Sequence, residues 1–164
     1  MDILSEIKNR RSIRKYMDKE VTDEQISLLI EAARLAPSGS NMQPWDFIVV
    51  RSQEMKEKIC AVDHNQKWML SAPVFIVSIG NEKYRGDGDM ERVIRDSAIA
   101  TEHILLQAEH MGLATCWTGW FEQEDIRKAL GLAENCYGSG VITVGYANEQ
   151  PVARPRRNME YTII

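Results

Sequence analysis

The feature that most constrains the fold is a long helical pattern in the middle of the chain. Over residues 90–111, small and apolar residues follow one another at steps of three and four, the period of one helix face: Ala98, Thr101, Leu105, Ala108 and Met111. Strand-sized apolar runs precede and follow this pattern at residues 73–79 and 140–146. Strands mixed with a long central helix are typical of an α+β protein, and we predict a three-layer sandwich.

Shorter elements surround this centre: helices over residues 3–8, 53–62 and 122–130, and strands over residues 45–50 and 114–118. A further helix is predicted to begin with a capping box formed by Thr22 and Gln25 and to end before Pro37. Residues 138–140, with the sequence Gly-Ser-Gly, are predicted to precede the last strand. The tail, residues 148–164, contains two prolines and ends in a strand-like segment, which we expect to extend toward a partner subunit.

Length and cysteine content bound the class of protein. The 164 residues are expected to form one domain over residues 1–164. Cys60, Cys116 and Cys136 form no C-x-x-C pair, which favours reduced thiols and a cytoplasmic location. Charged residues interrupt the start of the chain, so a signal peptide is not expected. No apolar run approaches the roughly 18 residues that span a membrane, so we expect a soluble protein without a membrane partner.

Charge is small overall but unevenly distributed. Lys and Arg number 20 and Asp and Glu 24, which gives a net charge of −4. Six basic residues lie within the first nineteen, and three arginines lie near the end: Arg154, Arg156 and Arg157. Two compact basic clusters in an acidic chain favour a small anionic ligand over a long polyanion, so nucleic acid is not an expected partner.

The first cluster contains a motif suited to a phosphate. In an extended segment Arg10, Ser12 and Arg14 point the same way. Two guanidiniums and a hydroxyl on one face provide the charge-assisted donors that a phosphate needs. A solvated basic turn after a helix is the alternative. Arg154 and Arg156 favour the phosphate site, because two separated basic pairs could converge on one ligand.

A second candidate segment is the loop of residues 37–45, with the sequence Pro-Ser-Gly-Ser-Asn-Met-Gln-Pro-Trp. It lies between a predicted helix and a predicted strand, where small residues let backbone amides approach a ligand. Asn41 and Gln43 each offer a donor and an acceptor that can pair with the edge of a heterocycle. The alternative is an ordinary helix-to-strand connection.

A third candidate segment is aromatic. Residues 117–121, with the sequence Trp-Thr-Gly-Trp-Phe, directly follow a predicted strand. Aromatic rings with a glycine at the end of a strand could form a pocket that stacks on a ligand ring. The alternative is a cluster of core aromatics.

The sequence offers no set of residues for metal binding or side-chain catalysis. His103 and His110 lie seven residues apart without matching carboxylates, and we predict no metal site. Cys60 and Cys116 have no evident base beside them and are interpreted as structural thiols. We assign no catalytic side chain, a pattern typical of an enzyme whose cofactor carries the chemistry.

Two ordered motifs resemble the nitroreductase family. Residues 10–16, Arg-Arg-Ser-Ile-Arg-Lys-Tyr, resemble its R-R-S-x-R-x-[FY] start. Residues 36–45 resemble its A-P-S-x-x-N-x-Q-P-W segment. The helix over residues 96–113, followed by Cys-Trp-Thr-Gly at 116–119, is similar to the family's central helix and next strand. The resemblance covers nearly the whole chain. It implies a nitroreductase-like sandwich with a central mixed, mainly antiparallel sheet.

The resemblance also implies a homodimer with FMN at each of two subunit interfaces. The cofactor-binding residues that it implies are Arg10, Arg11, Ser12, Arg14, Pro37, Ser38, Gly39, Asn41, Asn65, Trp117, Thr118, Gly119, Arg154 and Arg156. Arg10, Ser12 and the C-terminal Arg154 or Arg156 would hold the phosphate, and Arg14 would lie near the ribityl chain and the N1–C2 edge. Residues 37–41 would come from the other subunit. Asn65 would face the pyrimidine edge, and residues 118–119 would lie near flavin N5.

The activity implied is an NAD(P)H oxidoreductase that passes a hydride through flavin N5 to a small oxidant by a ping-pong mechanism. The oxidant could be a nitroaromatic, a quinone, a flavin or an activated alkene. Alternatives are a non-catalytic protein that stores or senses FMN, and a relative that fragments flavin or dehalogenates aromatics. Two departures concern the flavin surroundings: Thr118 stands where many members carry a glutamate, and only about ten residues connect the strand at 73–79 to the long helix.

Overall fold

The computed structural model describes residues 2–163. Its helices are α1 (Ser5–Asn9), α2 (Asp23–Arg34), α3 (Gln53–Val62), α4 (Met90–His110) and α5 (Gln123–Leu130). Its strands are β1 (Trp45–Val50), β2 (Val74–Asn81), β3 (Ala114–Thr118) and β4 (Cys136–Gly145). The capping box is present as predicted, because the Thr22 hydroxyl accepts from the backbone N–H of Gln25 and the Gln25 side chain accepts from that of Thr22. The expectation of one domain stays a prediction.

The four strands form one sheet in the order β1-β2-β4-β3, and each neighbouring pair is antiparallel. The predicted α+β sandwich is confirmed. The predicted sheet is mixed, with some parallel pairing. Within the described residues, the parallel pairing is an isolated bridge between Ser12 and Thr115 at the outer edge of β3.

Strand β2 separates two apolar cores. Its residues are all buried, and successive side chains point to opposite faces. Val74 and Ile76 face a core formed with α2 and α4, whereas Phe75 and Val77 face a core that includes residues of α3 and α5. The sheet is therefore covered on both sides, which makes the three layers.

Helix α4 spans one side of the sheet. The Asp89 carboxylate caps its first turn by accepting from the backbone N–H of Arg92, and Gly112, with φ of 70°, follows its last turn. The Thr101 hydroxyl donates to Ser78 on β2 at 2.8 Å, which ties the helix to the sheet. At 1.5 Å per residue, its 21 residues extend about 31 Å, so the two ends of α4 lie in different parts of the molecule.

Strand β4 begins four residues earlier than predicted, so the prediction that residues 138–140 precede the strand is wrong. Gly138 pairs with Ile79, and a bulge lies between the partners of Ser78 and Ile79. Both glycines leave room for a side chain that packs closely against the strand. A Cβ at Gly140, where φ is 149°, would overlap the Trp117 indole, and one at Gly138 would lie 2.9 Å from Ile126. The glycines therefore mark close packing inside a strand.

The tail beyond β4 forms no helix or strand in the described residues, and residues 151–163 are exposed. Its apolar side chains Val152, Met159, Tyr161 and Ile163 are each at least three quarters exposed. Within residues 2–163, no helix combines the length and the apolar character needed to cross a membrane.

Candidate functional site

Arginines from both ends of the chain line one cavity of about 270 Å³, which we call the basic cleft. Its lining residues are Arg10, Arg11, Ser12, Arg14, Pro151, Val152, Arg154 and Arg156. The structure thus brings together the predicted phosphate-binding residues from two distant segments. No acidic residue belongs to this lining, so the cleft presents positive charge from several sides.

The extended segment after α1 explains why the two ends of the chain meet. Ile13 donates its backbone N–H to Thr115 of β3 at 2.9 Å, which fixes this segment along the edge of the sheet. Asn148 donates its backbone N–H to Lys15 at 2.9 Å. The chain therefore leaves β4 beside the N-terminal segment, and this contact directs the tail arginines toward the basic cleft.

The arginines of the basic cleft differ in how far they are already engaged. Arg11 donates to the backbone carbonyls of Lys8 and Arg10 at 2.9 and 2.8 Å, so part of its guanidinium has partners. Among residues 2–163, no carboxylate lies within 4.0 Å of the side-chain nitrogens of the other four cleft arginines. Arg10, Arg14, Arg154 and Arg156 are thus available to an anion.

A chain of polar contacts leads from the basic cleft to the end of β3. The Arg14 guanidinium lies 5.5 Å from the centroid of the Trp68 ring. Trp68 donates from Nε1 to Gln66 at 3.1 Å, and Gln66 donates from Nε2 to the Thr118 hydroxyl at 2.9 Å. The Thr118 hydroxyl in turn donates to Asp63 at 2.7 Å. Arg14 and Thr118, predicted from separate motifs, therefore belong to one surface.

Asp63 and Gln66 hold this arrangement, and the sequence analysis missed both. Asp63 is fully buried, and its other carboxylate oxygen accepts the backbone N–H of Trp120 at 2.8 Å. These contacts fasten the end of α3 to the end of β3. The sequence contains one signal, because an Asp and a Gln directly follow the predicted helix over residues 53–62, but neither has a spacing that reveals its partner.

Strained backbone is confined to two loops of the described chain. Five non-glycine residues have positive φ, and they are Ser40, Asn41, Gln43, His64 and Asn65. Such conformations are uncommon outside glycine and tend to cluster at functional sites. Each loop contains a predicted cofactor contact, Asn41 in one and Asn65 in the other.

The loop of residues 37–43 lies at the opposite end of α4 from the basic cleft. Gly39 donates its backbone N–H to the Asp96 carboxylate at 3.2 Å. Gly112, beyond the other end of α4, lines a cavity together with Arg11. From Asp96 to the end of α4 at His110 the helix extends about 21 Å. One copy of the chain therefore keeps Pro37, Ser38, Gly39 and Asn41 apart from the basic cleft.

The Arg85 side chain lies against the loop of residues 37–43. Its side chain is 6% exposed, and Nη2 pairs with Asp87 at 2.8 Å. Its Nη1 atom is buried without a hydrogen-bond partner, 3.7 Å from the Asp96 carboxylate. The Arg85 guanidinium places a positive charge next to Asp96. Its hydrogen bonds to Asp87 hold the pKa of that carboxyl at about 2, below its ordinary 3.8.

The aromatic segment at 117–121 divides between different environments. Trp117 donates from Nε1 to the Ser139 carbonyl at 3.3 Å and lies over Gly140, whereas the neighbouring Thr118 faces Asp63. Alternation along β3 puts these two side chains on opposite faces. Phe121 is buried in a core. The structure therefore does not bring the Trp117 ring to the surface formed by Thr118, and no single aromatic pocket forms here.

The buried thiols are not poised as nucleophiles. Cys60, Cys116 and Cys136 are unpaired and buried. Burial raises the pKa of the Cys116 thiol, and burial together with the Asp63 charge raises that of Cys60. A raised pKa keeps a thiol protonated and unreactive. In the described part of the chain, no group of three or more His, Cys, Asp or Glu residues has a metal-binding arrangement.

Comparison with known proteins decides the family. The model of the nitroreductase family matches residues 7–64 and 58–146. This chain belongs to the nitroreductase family. A Methanothermobacter thermautotrophicus protein named after NADH dehydrogenase and NAD(P)H nitroreductase activity is 40% identical over 162 residues, which cover 94% of this chain and 82% of that protein. The predicted family and the class of NAD(P)H oxidoreductase are confirmed.

Two further nitroreductase relatives carry flavin in their names. The FMN reductase [NAD(P)H] of Bacillus subtilis is 27% identical over 177 residues, covering 97% of this chain and 71% of that protein. The solved structure of an FMN-dependent nitroreductase from Clostridium difficile R20291 superposes with a TM-score of 0.81 at 31% identity, covering 93% of this chain and 92% of that chain.

The residues of this nitroreductase fit a flavin phosphate. The basic cleft combines arginines free of carboxylate partners with the Ser12 hydroxyl, which is the donor set that a phosphate requires. The polar surface from Arg14 to Thr118 begins at this cleft and offers donors and acceptors to a heterocycle. The chemistry of both parts agrees with a nucleotide-like flavin.

Proposed function

We propose that the protein is a homodimeric, FMN-dependent NAD(P)H oxidoreductase that reduces a small oxidant by a ping-pong mechanism. The observation that carries this proposal is the basic cleft, in which arginines from both ends of the chain surround a cavity without an acidic lining residue. The Glu149 carboxylate accepts the backbone N–H of Arg14, but within residues 2–163 the guanidiniums of Arg10, Arg14, Arg154 and Arg156 form no ion pair, so their mutual repulsion favours binding of an anion. The three unpaired, buried cysteines agree with the cytoplasmic location that we propose.

The phosphate end of the site is assigned to the basic cleft. Arg10 and Ser12 supply donors from the extended segment, and Arg154 and Arg156 supply donors from the tail. Each charge-assisted hydrogen bond contributes about 1.5–3 kcal/mol. Arg11 contributes less, because its guanidinium already donates to two backbone carbonyls.

The ring end of the site is assigned to the surface between Arg14 and the end of β3. Arg14 provides positive charge at the pyrimidine side, where Asn65 offers an amide. The Thr118 hydroxyl donates to Asp63 and accepts from Gln66, so it has no further proton to donate. We therefore assign the donor near flavin N5 to the backbone at residues 118–119.

The loop of residues 37–43 reaches the flavin from a second copy of the chain. Within one copy, about 21 Å of α4 separate this loop from the basic cleft. A two-fold dimer that packs α4 against its copy brings the far end of one helix to the near end of the other. We assign Pro37, Ser38, Gly39 and Asn41 to the partner's flavin on this basis.

The tail is assigned a role in the same dimer. Met159, Tyr161 and Ile163 alternate along it and are exposed, as in a strand with one apolar face. Strand β1 is an edge of the sheet, and a groove of about 560 Å³ beside it is lined by apolar residues such as Ile26, Ile30 and Phe47 together with polar and charged ones. We propose that the tail of one copy pairs along β1 of the other.

FMN held by these residues would supply hydride transfer between NAD(P)H and the oxidant through its N5 atom. The residues of this chain bind and orient the flavin, and we assign no catalytic side chain to the reaction. In a ping-pong mechanism the oxidised nicotinamide would leave before the oxidant enters. This order predicts parallel lines in double-reciprocal plots.

The test is the visible spectrum of the purified protein, recorded without oxygen before and after addition of NADH or NADPH. We expect a flavin band that bleaches with one or both donors and returns when menadione is added. A band that persists with both donors indicates a flavin-binding protein without this activity. Absorbance that is lost and not restored by oxygen indicates a flavin-fragmenting reaction. A colourless protein that does not bind added FMN contradicts the proposal.

A further inference from the structure

An exposed aromatic stack lies beside the proposed ring site. The rings of His64 and Trp120 have centroids 4.0 Å apart and planes within 9° of parallel. Trp120 is nevertheless 65% exposed, among the largest exposed fractions of any aromatic residue outside the tail. Because His64 covers one face of the indole, an exposure this large requires that the other face is open to solvent.

The stack is held rigidly. The buried Asp63 carboxylate accepts the Trp120 backbone N–H at 2.8 Å, and the His64 ring bonds through Nδ1 to the Trp120 carbonyl. The carbonyl can only accept, so Nδ1 of His64 carries the proton in this contact. These bonds fix the Trp120 backbone, and stacking on His64 restrains the indole, so less conformational entropy is lost when a ligand stacks on it.

Both rings of the stack belong to residues next to those assigned to the flavin ring. His64 directly precedes Asn65, and Trp120 directly follows Gly119, so each ring is adjacent to a residue assigned to the flavin ring. His64 also has positive φ, as does Asn65, and the buried Asp63 joins their loop to β3. The open face of Trp120 therefore lies at the rim of the proposed ring site.

We propose that the open face of Trp120, backed by His64, is a platform that binds planar aromatic oxidants. This inference rests on the proposed function and narrows its oxidant to ring compounds such as quinones, rather than compact activated alkenes. Stacking on an indole depends on the area of the facing ring, which a quinone provides and a short alkene does not. In the reaction with a quinone, a hydride from NAD(P)H and a proton from solvent yield the hydroquinone and NAD(P)+.

The experiment compares two replacements at one position. Trp120→Leu removes the aromatic ring but keeps an apolar side chain, and Trp120→Phe keeps a ring. Steady-state rates are measured with menadione, a planar quinone, and with ferricyanide, which has no aromatic ring. We expect Trp120→Leu to raise the KM for menadione about tenfold, which corresponds to about 1.4 kcal/mol, and to leave kcat/KM for ferricyanide within twofold. Trp120→Phe is expected to retain most of the menadione affinity.

Other outcomes overturn the platform. Equal losses with menadione and ferricyanide indicate that Trp120 supports the fold or the flavin. A change from dimer to monomer in analytical ultracentrifugation indicates that Trp120 is a subunit contact. If the unmodified protein reduces neither acceptor, the proposed function fails, and the platform is then judged by menadione quenching of tryptophan fluorescence in the flavin-loaded dimer. Equal affinities of the unmodified protein and Trp120→Leu in that measurement contradict the inference.

Discussion

The two ends of α4 present two kinds of binding surface. At its C-terminal end, the basic cleft is assembled within one chain from the N-terminal segment, β3 and the tail. At its N-terminal half, the loop of residues 37–43 has three residues with positive φ and is fastened to Asp96, yet it lies apart from the basic cleft of its own chain. The first surface is complete without a partner and the second is not, so the two surfaces should respond differently to mutation and to dilution.

The largest expected effect comes from removing charge from the basic cleft. Arg10→Ala combined with Arg14→Ala removes two guanidiniums that have no carboxylate partner. At about 1.5–3 kcal/mol for each charge-assisted hydrogen bond, the loss should weaken FMN binding by two orders of magnitude or more. Isothermal titration of the flavin-free protein with FMN measures it.

The matched control is Lys8→Ala combined with Lys15→Ala. It removes the same net charge from the same stretch of sequence, but neither side chain lines the basic cleft. We expect FMN affinity within a few-fold of the unmodified protein. If the double arginine variant retains its full flavin content after purification, the phosphate is bound elsewhere.

The second prediction concerns the tail, which lines the basic cleft through Arg154 and Arg156 and is proposed to pair along β1 of the other copy. Deleting residues 155–164 removes Arg156 and the alternating apolar segment, and it should weaken the dimer and release flavin. Deleting residues 159–164 keeps Arg154 and Arg156 and removes only the proposed pairing strand. We expect the shorter deletion to weaken the dimer with less loss of FMN at high protein concentration. Sedimentation velocity over a dilution series measures both, and an unchanged dimer after the longer deletion eliminates tail exchange.

The third prediction tests the loop at the other end of α4. Asp96→Ala removes the acceptor of the Gly39 N–H and leaves the buried Arg85 guanidinium without its nearby charge. Leaving buried polar groups without partners costs about 1–3 kcal/mol, part of which should appear as weaker FMN binding by roughly tenfold. Asp96→Asn keeps an oxygen acceptor and should restore most of the affinity. The loss of FMN affinity should appear only in the dimer. If Asp96→Ala causes the same loss in a monomeric tail-deleted protein, the loop belongs to the flavin site of its own chain.

Much of the fold follows from the sequence because its signals are local. The period of α4, the Thr22 and Gln25 capping box and the ranges of α3 and β3 depend on residues within a few positions of one another. The start of β4 was predicted too late, because Gly138 and Gly140 indicate a turn in sequence and only the side chains packed against them reveal a strand.

The candidate site could be predicted only in part. The convergence of the two basic segments could be predicted only on the premise that they share one anionic ligand, because arginines without such a ligand repel one another. Asp63 and Gln66 could not be found, because their partners Thr118 and Trp68 depend on how α3 meets β3. Trp117 was grouped with Thr118 by sequence proximity, although neighbouring residues of a strand point to opposite faces.

The smallest expected effect is a pH dependence of the stability that the Asp87 carboxyl contributes through its pairing with Arg85. Hydrogen bonds from Arg85 hold the pKa of Asp87 at about 2, below the 3.8 of the unfolded chain. A carboxyl group with a depressed pKa stabilises the fold at pH values above 3.8, and this contribution is lost as pH falls from 3.8 toward 2. Asp87 is exposed to solvent, so the contribution is small. In urea unfolding, Asp87→Asn should lower the midpoint slightly at pH 6, and the difference from the unmodified protein should shrink as pH falls below 3.8 and disappear below pH 2. If the difference in midpoint persists unchanged at the lower pH, the side-chain amide alters packing rather than charge. Arg85 then holds Asp96 and the loop without help from Asp87.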